Sequence, residues 1–206
     1  MVNQQFRKDY WVKGARRLSK FERLESLREI RVLLTSKRQN IKMTFSARIG
    51  EISLSDAVYS PILDYMADHE VKSLKQIEAA LKGKGITLDQ ITQSVMLLLE
   101  LQHVVLAQDE QVIEKAKSTS RKINDYLCQK SKGRGDVGYL SSPLTGGGVA
   151  INRFQQLFLL AIKEGLKKPE MWAKFAWDIL EAQDQKLVRE GAVLKTPEDN
   201  LAELNN

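Results

Sequence analysis

A capping box at Thr87 and Gln90 opens the most constrained stretch of this chain, residues 86–107. The Thr87 hydroxyl is placed to accept the N–H of Gln90, and the Gln90 side chain can reach back to the Thr87 N–H. Ile86 before the cap and Ile91 after it stand as a hydrophobic staple. Ile91, Val95, Leu98 and Leu99 follow at helical spacing, with Met96 and Leu101 widening the stripe. So apolar a helix is expected to be buried on more than one side. The β-branched pair Val104, Val105 then reads as a strand leaving it.

The segments before it carry matching local signals. Ile30 to Leu34 reads as a strand, and Ile41, Met43, Phe45, Ala47 and Ile49 alternate with polar partners as a half-buried strand does. Gly50 interrupts the alternation at a turn or bulge, and Ile52 and Leu54 resume in phase. From Asp56 the period becomes helical. Pro61 is placed in a first turn, where proline is tolerated, ahead of Ile62, Leu63, Tyr65 and Met66. Ser73 and Gln76 form another capping box for a helix through Ile77, Ala80 and Leu81, closed by Gly83 and Gly85. Three helices and a β-run turning at Asp109-Glu110 into Val112-Ile113 have the order of a winged helix.

Residues 114–132 form a less apolar helix rich in lysine and arginine, with Ile123 and Leu127 on one face, and residues 133–148 a loop rich in glycine and serine. Two helices follow. Phe154, Leu157, Phe158, Ala161 and Ile162 are capped by Asn152 and stopped by Gly165. Trp172, Phe175, Ala176, Ile179 and Leu180 follow Pro169 at the same spacing. The short link predicts an antiparallel hairpin. Thr196-Pro197-Glu198 opens a short terminal helix. The expected fold class is α+β: a strand-rich piece over 1–54, a winged-helix-like unit over 55–113, and a helical region over 114–206.

Composition narrows the function classes. The single cysteine, Cys128, excludes internal disulfides and zinc knuckles, and points to a reducing, cytoplasmic setting. No apolar run is long enough to span a bilayer, and no signal-peptide core precedes the first elements. The net charge of +6 is uneven: residues 1–48 hold thirteen Lys/Arg against four acids. A basic third like this suits an acidic partner, nucleic acid or another domain.

The motifs that resemble sites lack the required context. Gly133-Arg134-Gly135-Asp136-Val137-Gly138 matches G-x-G-x-x-G, yet it has no strand before it and no helix starting inside it. Thr145-Gly146-Gly147-Gly148 has no Lys-Ser/Thr to make a P-loop. His69 and His103 lack companions at metal-ligand spacing, Ser141 and Ser142 lack an activating motif, and Asp178, Glu181 and Asp184 read as a solvated helix face. The helix from Thr87 carries no Lys or Arg but has Asp89 and Glu100, and the expected wing tip, Asp109-Glu110, is acidic. Both features are wrong for phosphate contacts. A protein-contact role is expected, with no specific DNA partner.

Two stretches carry a family resemblance. Phe6-Arg7-Lys8-Asp9-Tyr10-Trp11-Val12-Lys13-Gly14-Ala15-Arg16-Arg17-Leu18-Ser19 resembles the start of the predicted methyltransferase regulatory domain family. Tyr139-Leu140-Ser141-Ser142-Pro143-Leu144-Thr145-Gly146-Gly147-Gly148-Val149, with residues 154–161, resembles that family's C-terminal region. In the family this region follows a class I S-adenosylmethionine-dependent methyltransferase domain. The arrangement is similar to that of bacterial protein-lysine methyltransferases with a C-terminal winged helix. The resemblance implies a non-catalytic accessory region, with S-adenosylmethionine bound by a catalytic domain outside this sequence. It transfers no catalytic, cofactor or metal residue. The implied partners are that catalytic domain in cis, a second copy, or a protein substrate. The implied contact residues are Arg7, Arg16, Arg17, Tyr139, Ser141, Ser142, Pro143, Thr145, Gly146, Gly147 and Gly148. A free-standing winged-helix regulator of nucleic acid is the alternative.

Overall fold

Ser19 caps the first described helix, α1 (Lys20–Arg28), through a reciprocal box with Glu22. The computed structural model describes residues 11–14, 16–47 and 50–205; of Ala47 it describes the backbone only. The sequence readings at residues 1–10, Ala15, Arg48, Ile49 and Asn206 lie outside these. The protein is α+β and divides into two units, Met1–Leu106 and Ala107–Asn206.

In the first unit, β1 (Arg31–Leu34) precedes a hairpin of β2 (Thr44–Ala47) and β3 (Gly50–Ser53), with Thr44 opposite Ser53. Then come α2 (Asp56–Tyr65), β4 (Lys72–Ser73), α3 (Leu74–Leu81), α4 (Leu88–Glu100) and β5 (Val104–Leu106). The antiparallel sheet runs β4-β1-β5. Val32 and Leu34 of β1, Ile62 and Leu63 of α2, Ile77 of α3, and Ile91 and Leu98 of α4 fill one core. The boxes at Ser73 and Thr87 both form, and Ile86 and Ile91 are buried in that core.

Five expectations are corrected here. Val112 and Ile113 form no wing strand; they lie in a helix beginning at Glu110, and the central strand of the sheet is β1, which comes from upstream of α2. Because β1 pairs with both β4 and β5, it shares a sheet with elements far downstream, and the chain divides after Leu106 instead of at 54 and 113. The alternation from Ile41 is not one strand but the β2–β3 hairpin, preceded by a 3₁₀ turn over Arg38–Asn40 that leaves Ile41 in the core. Pro61 lies inside α2, not in its first turn, and cannot donate to the carbonyl of Ala57. Met96 also faces solvent, 64% exposed, so α4 buries a narrower face than its composition suggests.

The second unit begins with α5 (Glu110–Lys130), followed by β6 (Tyr139–Ser142) and β7 (Gly147–Ala150). These strands pair antiparallel, so the segment expected to be an irregular loop is a hairpin from residue 139 onward. Helices α6 (Arg153–Lys163) and α7 (Pro169–Glu181) form the expected pair, with Gly165 at φ +93° in the link. Their buried stripes are Leu157, Leu160 and Ala161, and Ala173, Ala176, Trp177 and Leu180. Small alanines bring the helices close, while Ile162 turns outward. A short hairpin, β8 (Val188–Arg189) and β9 (Ala192–Val193), turns on Glu190 and Gly191, both at positive φ. Thr196 then caps α8 (Pro197–Leu204). The fully buried Asn200 ties this end together. Its Oδ1 accepts from the Leu187 N–H at 2.8 Å, and its Nδ2 donates to the carbonyls of Leu194 and Thr196. Among the described residues, no helix is long and apolar enough to cross a membrane.

Candidate contact surface

The hairpin is locked to α5 through one side chain. Asn124 accepts from the Ser141 N–H at 2.7 Å and donates to the Ser141 carbonyl at 2.8 Å. This amide satisfies both peptide groups that Ser141 turns to the outer edge of β6, as a neighbouring strand would. The Ser141 hydroxyl donates to Ser120 Oγ on α5 at 3.1 Å. On the opposite face Leu140 joins Cys128 and Leu160 in a small core.

The consequence falls on β7. Ile151 N–H donates to the Gly138 carbonyl at 2.9 Å, which sets the alternation of the ladder. Because Ser141 directs its peptide groups away from β7, its opposite residue Gly148 must direct its own away from β6. Two residues on, Ala150 does the same. All four β7 residues are exposed, and the sheet ends there. β7 is an open strand edge.

Between α5 and the hairpin, over Ser141 and Ser142 of β6, lies an open groove of about 380 Å³. One wall is the stripe Val112, Ala116, Ile123 and Leu127 of α5; the other is Pro143 and the backbone of Gly146, Gly147 and Gly148. Val112 and Ile123 are each 46% exposed. The glycines have different roles. Gly146 has φ +71°, and a Cβ there would stand 2.7 Å from the Gln108 amide, whereas a Cβ on Gly147 meets nothing within 4 Å. Gln108 is itself bound to the turn, its N–H donating to the Leu144 carbonyl at 2.7 Å.

Of the expected contact residues, Ser141, Ser142, Pro143, Gly146, Gly147 and Gly148 come together at this groove. Tyr139, 61% exposed, shares a face of β6 with Ser141. Thr145 lies in the connecting turn, its carbonyl accepting from Gln108. Arg16 and Arg17 belong to the other unit and are exposed, with Arg16 paired to Glu22. Arg7 lies outside the described residues. Of the α5 wall only Ile123 and Leu127 were expected on one face; Val112, Ala116 and Asn124 had not been anticipated. Their signal was the spacing of Val112, Ala116, Ser120, Ile123 and Leu127, which assigning Val112 to a strand concealed.

The remaining candidates have structural contacts. The Gly133 to Gly138 stretch follows a helix and precedes a strand, the reverse of a dinucleotide loop. Arg153 fastens its start, donating to the carbonyls of Ser131 and Lys132 at the end of α5. His69 bonds the Leu34 carbonyl at 2.8 Å and His103 the Ser36 hydroxyl at 2.9 Å. Burial pushes the Cys128 thiol pKa up, with Asp125 adding to the effect. Among the described residues no cluster of metal-ligating side chains forms, and no buried side-chain polar atom lacks a partner.

Fold and site together define an α+β protein with an open strand edge on β7 and an apolar groove between α5 and the hairpin. No family model and no solved structure matches the chain. It is 31% identical over 205 residues to a protein of Synechocystis sp. (strain ATCC 27184 / PCC 6803 / Kazusa) bearing the name "Uncharacterized protein sll1526". The match takes in 100% of this chain and 40% of that relative, so the chain spans well under half of the curated protein it resembles.

Proposed function

We propose that this chain is a non-catalytic accessory region of an S-adenosylmethionine-dependent methyltransferase, packing on the catalytic domain and shaping substrate access or assembly. The observation that carries the proposal is the β6–β7 hairpin. The segment that resembles the methyltransferase regulatory family, Tyr139 to Val149, presents an open edge and an apolar groove to solvent. Exposed apolar surface of this kind marks interaction sites. The end-to-end match to less than half of a longer relative is compatible with a module in a larger polypeptide. The exposed face of α4, with Asp89, Gln93, Met96 and Glu100, favours a protein over a phosphate backbone as partner.

The test is to express the methyl-donor domain encoded in the same reading frame with and without this region, and to add the region in trans. Co-purification and a change in methyl transfer on adding the region support the proposal. A catalytic domain that neither binds the region nor responds to it refutes the proposal.

A further inference from the structure

We propose that β7 pairs antiparallel with β7 of a second copy of this chain, around a two-fold axis at Val149, joining two hairpins into one sheet. This goes beyond the accessory function above. It leaves the groove between α5 and the hairpin to the catalytic domain and gives the opposite edge to the second copy.

The backbone selects the register. Gly148 and Ala150 turn their N–H and C=O groups away from β6, and among the described residues no strand lies beside them. In an antiparallel ladder such outward residues face one another and exchange both N–H···O bonds. An axis at Val149 sets Gly148 of each copy opposite Ala150 of the other, so both outward residues are used. An axis at Gly148 or at Ala150 would instead bring Gly146 or Asn152 into a bonding position. The N–H of Gly146 is already given to the Ser142 carbonyl, and that of Asn152 to the Gln155 side chain.

Charge selects the occupant. Residues 146–152 carry no charged side chain, so an identical strand laid against them brings no like charges together. The same neutrality offers nothing to hold an acidic or a basic peptide. β7 also has no proline, and its register with β6 runs without a bulge, so the usual guards of an open edge are missing.

The side chains fit the same axis. Val149 stands opposite buried Leu140 and is 42% exposed; across the axis it meets Val149 of the second copy, with Cα atoms about 4.5 Å apart. On the other face Tyr139 leans over the place Gly148 leaves bare, where a Cβ would stand 3.5 Å from Tyr139 Cβ and Cδ1. The Ala150 methyl of the second copy lies opposite Gly148, beside that exposed ring. So short a ladder buries less than the roughly 800 Å² per partner of a stable interface, and the pairing is weak and reversible.

The test uses the 206-residue chain at concentrations up to millimolar. Sedimentation should show a reversible dimer, and amide exchange at Gly148 and Ala150 should slow as concentration rises. Val149→Lys and Val149→Glu should each stay monomeric, and mixing the two should restore pairing, since opposite charges then meet across the axis. Under oxidised glutathione Val149→Cys should form a reducible dimer and Ala150→Cys should not, because only position 149 meets its own copy; the native Cys128 is buried. Amide spectra report the folding of each variant, and the exchange measurement needs no variant. The proposal is overturned by a parent chain that stays monomeric, or by a dimer that leaves exchange at Gly148 and Ala150 unchanged. It is also overturned by a dimer indifferent to charge at position 149, or by cross-linking as ready from position 150 as from 149. A monomeric parent chain that still co-purifies with the catalytic domain sinks this proposal alone. Pairing without any catalytic-domain association sinks only the function proposed above.

Discussion

Asn124 on α5 makes both hydrogen bonds that a neighbouring strand would make to Ser141, at 2.7 and 2.8 Å. This contact holds the β6–β7 hairpin on the helix and, by fixing which way Ser141 faces, determines which edge of the hairpin is left open. Asn124→Ala should therefore lower stability by about 1–3 kcal/mol, since it strips partners from two partly buried backbone groups. Asn124→Asp keeps the acceptor and loses the donor, and should fall between. Thermal denaturation followed by circular dichroism checks the order. Equal stability of all three forms would show that the contact is incidental.

Gly146 and Gly147 should respond oppositely to substitution. Valine at Gly146 must adopt φ near +71° against the Gln108 side chain, whereas valine at Gly147 meets no atom within 4 Å. Gly146→Val is expected to cost about 1–3 kcal/mol of stability, a typical penalty for a strained backbone position. Gly147→Val should leave the melting temperature nearly unchanged while narrowing the groove, so any effect appears in partner binding. Comparing the two by thermal melts and by co-purification separates a structural turn from a contact surface.

Arg28 joins α1 to α3 by a two-pronged contact with Glu78, at 2.7 and 3.0 Å. The guanidinium holds the Glu78 carboxyl below its ordinary value. A carboxylate lowered on folding contributes stability above its unfolded pKa and loses it as pH falls through the folded one. Stability of the first unit should thus decline as pH falls below about 4.3, and the decline should be shallower in Glu78→Gln. Urea melts across that range, with and without the substitution, measure the difference.

Duplex DNA should bind weakly, without sequence preference, and through the basic N-terminal third. The exposed positions of α4 are acidic or neutral, while thirteen Lys/Arg stand in residues 1–48. Affinity should drop steeply with salt, since counterion release is then the main driving force. Fluorescence anisotropy at low and physiological salt tests this; a strong preference for one sequence at physiological salt would restore the nucleic-acid regulator.

Isolated chain is also expected not to bind S-adenosylmethionine. The Gly133 to Gly138 stretch runs from helix to strand, not from strand to helix. Calorimetric titration showing one-to-one micromolar binding would contradict this and would reopen an enzymatic role for the chain.

The sequence alone determined what neighbouring residues decide among themselves. The boxes at Ser73 and Thr87, the Asn152 cap, the Gly165 stop and the apolar periodicity of α3, α4, α6 and α7 were all legible, because each capping bond closes within four residues. Tertiary structure decided where those elements lead. β1 enters the sheet between β4 and β5, partners that lie far downstream in the chain, and it takes the position that Val112 and Ile113 had been expected to fill. With that place occupied, Val112 joins α5, and its apolar spacing becomes the wall of a groove. The open edge of β7 was equally hidden: Gly147 and Gly148 read locally as the end of a loop rich in glycine and serine, and only pairing with Tyr139 to Ser142 made Gly147 to Ala150 a strand. Asn124 could have been any polar helix residue until Ser141 lay opposite it. Strand pairing draws its free energy from residues distant in sequence, so short windows of residues carry little trace of it.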